Sequence, residues 1–198
     1  MTPLPPQPLS PLDGRYRAIL EPLGEHLSEA ALNRARVLVE IEWLLFLADR
    51  GMFGARPVPE EAKRRLRAVV EDFGGADVEE LARIEATTRH DVKAVEYYVR
   101  ARLAEQGLGG LAELTHFACT SEDVNNLAYA LTVRAAVHEL WLPAAEALIG
   151  SVADLARATR EDAMLSLTHG QPATPTTLGK ELAVFAHRLR RAADRVRA

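Results

Sequence analysis

SEAALNRARVLVEIEWLLFLADR, residues 28–50, has no interior glycine or proline and is followed by Gly51. Ser28 is a natural N-cap, and Gly51 is the residue that most easily takes the left-handed stop after a helix. Leu32, Ala35, Val39, Trp43, Phe46 and Leu47 recur at three- and four-residue spacing, and Leu44 and Leu45 widen that stripe. The stretch is therefore expected to be a long helix buried on more than one side.

The same pattern continues outward. Pro59 with two glutamates predicts a helix over 59–73, ended by Gly74-Gly75. Asp77 with Glu80 reads as a capping box for a short helix to about Ile84. Another helix is expected over 90–106, and 121–160 is helical by pattern, with Pro143 expected to kink or split it. Residues 162–174 break the periodicity. The last helix is expected to start with Thr174 as cap and Pro175 in its first turn, and to run to residue 198. No alternating Val/Ile/Thr-rich run predicts a strand. Residues 1–12 carry five prolines and are expected to be an extended arm. The fold class is all-α: a small N-terminal helical domain over 1–110, bounded by Gly109-Gly110, and the start of a long central helix bundle over 111–198. A chain that ends inside an amphipathic helix looks truncated.

Composition narrows the function. With 48% hydrophobic residues and a net charge of −4, the chain is not a disordered segment or a nucleic-acid binder working by bulk charge. Arg188, Arg190, Arg191, Arg195 and Arg197 read as a solvated helix face. The single cysteine, Cys119, excludes an intramolecular disulfide and a multi-cysteine zinc site. No His-x-x-x-His pair suggests a metal. No apolar run is long enough for a membrane span, and the first residues have no basic n-region, so a cytoplasmic setting is expected.

Four polar segments exceed what connectors need. Residues 168–174, Thr-His-Gly-Gln-Pro-Ala-Thr, put the imidazole of His169 beside Gly170, where the backbone can approach a ligand and a proton can move near neutral pH. From spacing alone, a helix connector with a surface histidine is an equal alternative. Residues 115–126, Thr-His-Phe-Ala-Cys-Thr-Ser-Glu-Asp-Val-Asn-Asn, put Thr120 and Ser121 at a helix start, where N–H groups and a hydroxyl can hold an anion. Capping of Thr120 by Asp123 explains those two residues equally well, but not Asn125-Asn126, because asparagine is a poor helix-interior residue. Cys119 reads as a small buried residue. Residues 87–91, Thr-Thr-Arg-His-Asp, offer Arg89 and His90 to an anion, with capping by Thr88 as the simpler reading. Residues 13–16, Asp-Gly-Arg-Tyr, form a turn with a free arginine.

Taken in order, SPLDGRY at 10–16, TTRHDVKAVEY at 87–97, HFACTSEDVNN at 116–126 and THGQPATP at 168–175 resemble the bacterial-type adenylosuccinate lyases of the fumarase/aspartase superfamily. The resemblance runs from Ser10 to the last residue. The family is more than twice as long, and its serine-bearing mobile loop has no counterpart here. Position 89 departs from the pattern, with Arg89 where this branch usually has asparagine.

The resemblance implies a β-elimination of fumarate from adenylosuccinate, giving AMP, and from the succinylated imidazole-carboxamide ribotide of purine synthesis, giving its amide. It makes His169 the general acid and gives Thr120 and Ser121 a succinyl carboxylate. It places Arg15, Tyr16, His90 and Asp91 at the nucleotide end, with Arg15 on the phosphate, Arg89 beside them and Gln171 as a further contact. It implies no cofactor and no metal, a homotetramer, and no nucleic-acid or membrane partner. The rival readings are argininosuccinate lyase or fumarase, and a non-catalytic helical fragment.

Overall fold

The computed structural model describes residues 9–198. The expected arm over 1–12 lies mostly outside them. Its last residues are a turn rather than an extended strand, because the Asp13 carboxylate accepts from the backbone N–H of Leu9 and Ser10 and from the Ser10 hydroxyl.

The chain divides into two compact units, one ending at Arg134 and one spanning Ala135–Ala198. In the first, α1 (Arg17–Leu27) precedes α2 (Glu29–Asp49), then come α3 (Glu60–Glu71), α4 (Gly75–Thr88) and α5 (Asp91–Glu105). The α1 helix escapes a periodicity reading because it buries no residue and carries Pro22. Ser28 does cap α2, accepting from the Ala31 N–H at 3.1 Å.

The helix is buried on more than one side, as expected: Ala35, Leu44, Leu45 and Leu47 of the expected stripe are buried, and Val37, Ile41 and Ala48 join them. Val37, Ile41, Leu44 and Ala48 are fully enclosed, whereas Phe46 is exposed. Trp43 and Phe46 are the bulkiest side chains of the helix, but its core positions are taken mainly by branched aliphatic ones. There they meet Leu66 of α3 and Val95, Tyr98, Val99 and Leu103 of α5. Each such side chain contributes about 1.5–3 kcal/mol by leaving water.

The α4 helix begins earlier and runs longer than expected. Gly74 is its cap and Asp77 lies in its first turn, accepting from the Gly74 N–H at 2.8 Å. Residues 109–110 lie in a short 3-10 helix, Gly109–Leu114, inside the first unit.

The α6 helix spans Ser121–Ala136, a π-turn spans Val137–Trp141, and α7 spans Leu142–Ala158 with Pro143 in its first turn. Proline lacks the N–H that an unbroken α-helix would need, and the irregular turn sits just before it.

In the second unit, the absence of strands expected from the sequence is overturned. Ala163–Thr168 (β1) and Gln171–Thr177 (β2) pair antiparallel around His169-Gly170, with Thr168 opposite Gln171. Both turn residues have positive φ, +49° and +73°, as a two-residue hairpin of right-handed twist requires. Strand pairing consumes residues 174–177, so α8 starts later than expected, at Leu178, with Thr177 as its cap. It runs to Arg197 and lays Gly179, Ala186 and Ala193 toward α7. A Cβ on Gly179 would collide with backbone atoms of Ala156 and Arg160.

Candidate active site

In the first unit, α2 passes behind the starts of α5 and α6 and reaches both with buried charges. Arg36, 5% exposed, donates through Nη2 to Asp91 Oδ2 at 2.8 Å and through Nε to Asn125 Oδ1 at 2.9 Å. It also donates to Asn33. One planar guanidinium thus joins the first residue of α5 to the first turns of α6. The Asn125 that capping could not explain is an arginine acceptor. Asn126 bonds back to the Glu122 carbonyl.

His90 is the cap of α5. Its Nδ1 accepts from the Lys93 N–H at 3.2 Å. A nitrogen that accepts carries no proton, so in this arrangement the ring proton is on Nε2. That nitrogen lies 3.5 Å from Ser121 Oγ, which brings two of the expected site residues together. Thr88 is not the helix cap; its hydroxyl donates to the His90 carbonyl. Asp91 has one oxygen on Arg36 and the other 3.5 Å from His90 Nδ1. Burial acts to raise its pKa, but the Val92 N–H and the Arg36 charge outweigh burial and hold it below the ordinary carboxylate range.

Thr120 gives its hydroxyl proton to Asp123 Oδ2 at 2.9 Å, and its N–H goes to the same oxygen at 2.7 Å. These bonds hold Asp123 below its usual pKa. The Thr120 hydroxyl therefore remains an acceptor only. Donors for an anion at this helix start are the Ser121 hydroxyl and the first-turn N–H groups. Burial pushes the Cys119 thiol up, away from a nucleophilic thiolate.

The other expected residues take no part in these contacts. The Arg15 guanidinium lies 5.1 Å over the ring of Tyr16, both side chains being exposed on the turn before α1. Arg89 closes α4 in left-handed backbone at φ +54° and is exposed. His169 occupies the tip of the hairpin in the second unit with Gln171 beside it, both exposed. Among the described residues no group hydrogen-bonds the exposed His169 ring.

Three residues of this site were not singled out from sequence: Arg36, Glu40 and His116. The available signal was charge inside an apolar stripe, since Arg36 and Glu40 are one turn apart on the buried face of α2.

The first unit is thus a set of helices with two adjoining helix starts tied by Arg36, and the second carries a histidine on a hairpin turn. The sequence profile of the lyase family matches residues 22–198, and the chain belongs to that family. It is similar to the adenylosuccinate lyase of Legionella pneumophila strain Corby, at 42% identity over 185 residues, 92% of this chain and 41% of the relative. It is also similar to that of Escherichia coli K12, at 44% identity over the same shares. The chain thus spans about 41% of the length of the curated relatives it matches. Among solved structures, a fumarate lyase from Mesorhizobium sp. BNC1 matches with a TM-score of 0.69 and 23% identity over 89% of this chain and 39% of that one. The β-carboxy-cis,cis-muconate cycloisomerase of Acinetobacter calcoaceticus matches at 0.66 and 22%, over 92% and 42%. These two speak for the fold.

Proposed function

We propose that these residues belong to an adenylosuccinate lyase, which eliminates fumarate from adenylosuccinate and from the succinylated imidazole-carboxamide ribotide. The observation that carries the reading is the ordered set of four polar segments in a chain 42–44% identical to relatives of that name. The convergence of His90 and Ser121 on adjoining helix starts supports it.

In this reaction a base takes the proton from the carbon beside a succinyl carboxylate. The electron pair moves into that carboxylate, then returns to form the double bond of fumarate as the carbon–nitrogen bond breaks. The departing nitrogen takes a proton, and His169 supplies it. An imidazole suits that task because its pKa lies near working pH. Ser121 and the α6 N–H groups hold the carboxylate whose charge grows along the path, where fixed dipoles help most. Arg15, Tyr16, Arg89, His90 and Asp91 serve the nucleotide end, and Gln171 is a further substrate contact. No residue of the assigned set is the base, so residues 1–198 alone are expected to be inactive. We further infer a homotetramer acting in the cytoplasm on a small-molecule nucleotide. The exposed apolar residues of α8 support association, and no helix among the described residues is long and apolar enough to cross a membrane.

The test is fumarate release by an enzyme in which this chain replaces the matching segment of the Escherichia coli relative. Adenylosuccinate is expected to be cleaved, and argininosuccinate and malate left intact. The reverse preference would assign the chain to another lyase.

A further inference from the structure

Glu40 is the least exposed charged side chain of the first unit, at 1%. Burial raises its pKa, against the pull of His116. A carboxylate in such a place costs free energy unless it is fully engaged. Both of its oxygens go to a single residue: Oε2 accepts the His116 backbone N–H at 2.9 Å, and Oε1 lies 2.6 Å from His116 Nδ1. Glu96, also buried, is near enough to raise the Glu40 pKa further, but Lys93 and Arg100 hold it.

His116 begins an unusual stretch. It and Ala118 have φ of +59° and +57°, left-handed backbone that residues with a Cβ avoid unless the surroundings impose it. Two and three residues beyond Ala118 come Thr120 and Ser121. Trp43 Nε1 donates to the Phe117 carbonyl at 2.8 Å, so α2 grips this turn at two places. A carboxylate that takes both the backbone N–H and the ring N–H of one histidine fixes the turn and the ring tautomer together.

We propose that Glu40 is a positioning residue: its two-point hold on His116 keeps the left-handed 116–118 turn in place, so that the Ser121 helix start faces its ligand. The same hold keeps a proton on His116 Nδ1 and leaves Nε2 as the nitrogen open to other partners. The inference rests on the reading that the Thr120–Ser121 segment binds a substrate carboxylate.

The experiment has two arms. In residues 1–198 uniformly labelled with 15N, ring correlation spectra report the His116 tautomer. Protonated Nδ1 is the expected result, and an unprotonated Nδ1 in the wild-type chain overturns the proposal. In Glu40→Gln the tautomer and the 115–121 amide signals should move; amides that stay in place also overturn it. The second arm uses the joined enzyme described above. Glu40→Gln should lower kcat/KM by about 10–100-fold, the cost of a modest misplacement of binding groups. Its melting temperature should be unchanged or higher, because a buried charge has been removed. Equal kcat/KM in both proteins, or activity and stability lost together, contradicts a positioning role. If the unmutated joined enzyme does not cleave adenylosuccinate, the functional reading fails, and the spectra still decide the hold on His116.

Discussion

Arg89 closes α4 at φ +54°, where an ordinary side chain meets the following carbonyl. Asparagine tolerates this region best among residues with a Cβ. That accounts for the asparagine usual in this branch at position 89 by backbone geometry, and the arginine here is exposed. Arg89→Asn should therefore raise stability by about 1 kcal/mol, measured by denaturant unfolding. A loss of stability would mean that the guanidinium has a partner when the protein works. Acid should have the opposite effect. Asp91 and Asp123 have lowered pKa values, so the unfolded chain binds protons more tightly than the native one. Their contribution is fully present above about pH 4, near the unfolded carboxylate value, and is lost as pH falls through the native values. Glu40, with its pKa raised, contributes in the opposite sense, weakening the fold as it ionises. Unfolding midpoints that fall from about pH 5 to about pH 3 are expected; a rise would show Glu40 outweighing the aspartates.

Helices α2 through α8 were legible wherever apolar period, caps and breakers agreed. Ser28 and Gly51 bound α2, and Ala35, Leu44, Leu45 and Leu47 of the expected stripe are buried, yet Phe46 is exposed, because side-chain size does not say which residues the other helices can reach. The hairpin was hidden for a related reason. Its strands are largely exposed, so no alternation of apolar and polar residues is imposed on them, and Pro172 and Pro175 argue against strands. The remaining signal was His169-Gly170 itself, a turn pair able to take positive φ twice. Thr120, Ser121 and His90 could be named from sequence because their polar atoms are local to helix starts. Arg36 and Glu40 could not, because their partners lie 55 to 89 residues away. The contact between α7 and α8 yields its own prediction. Gly179→Ala should destabilise the second unit by about 1–3 kcal/mol, as forced overpacking does, and lower its melting temperature by circular dichroism. An unchanged melt would show that the two helices can separate without loss.

At the scale of the molecule, α8 turns small residues to α7 and leaves Phe185, Leu189 and Val196 exposed at 59%, 41% and 44%. Exposed apolar area of this kind seeks partners. Residues 1–198 alone should be helical by circular dichroism, should self-associate in light scattering, and should release no fumarate from adenylosuccinate. A monodisperse monomer, or measurable turnover, would be inconsistent with the assignments made for the apolar face and for the missing base. The central claim is that this chain carries the general acid of an adenylosuccinate lyase, on the tip of a hairpin. The most direct measurement is kcat for fumarate release by the joined enzyme, with and without His169→Ala. Loss of the acid should lower kcat by about 10²–10⁴, with much less change in substrate affinity. A folded His169→Ala enzyme that turns over adenylosuccinate at the unmutated rate would contradict the account.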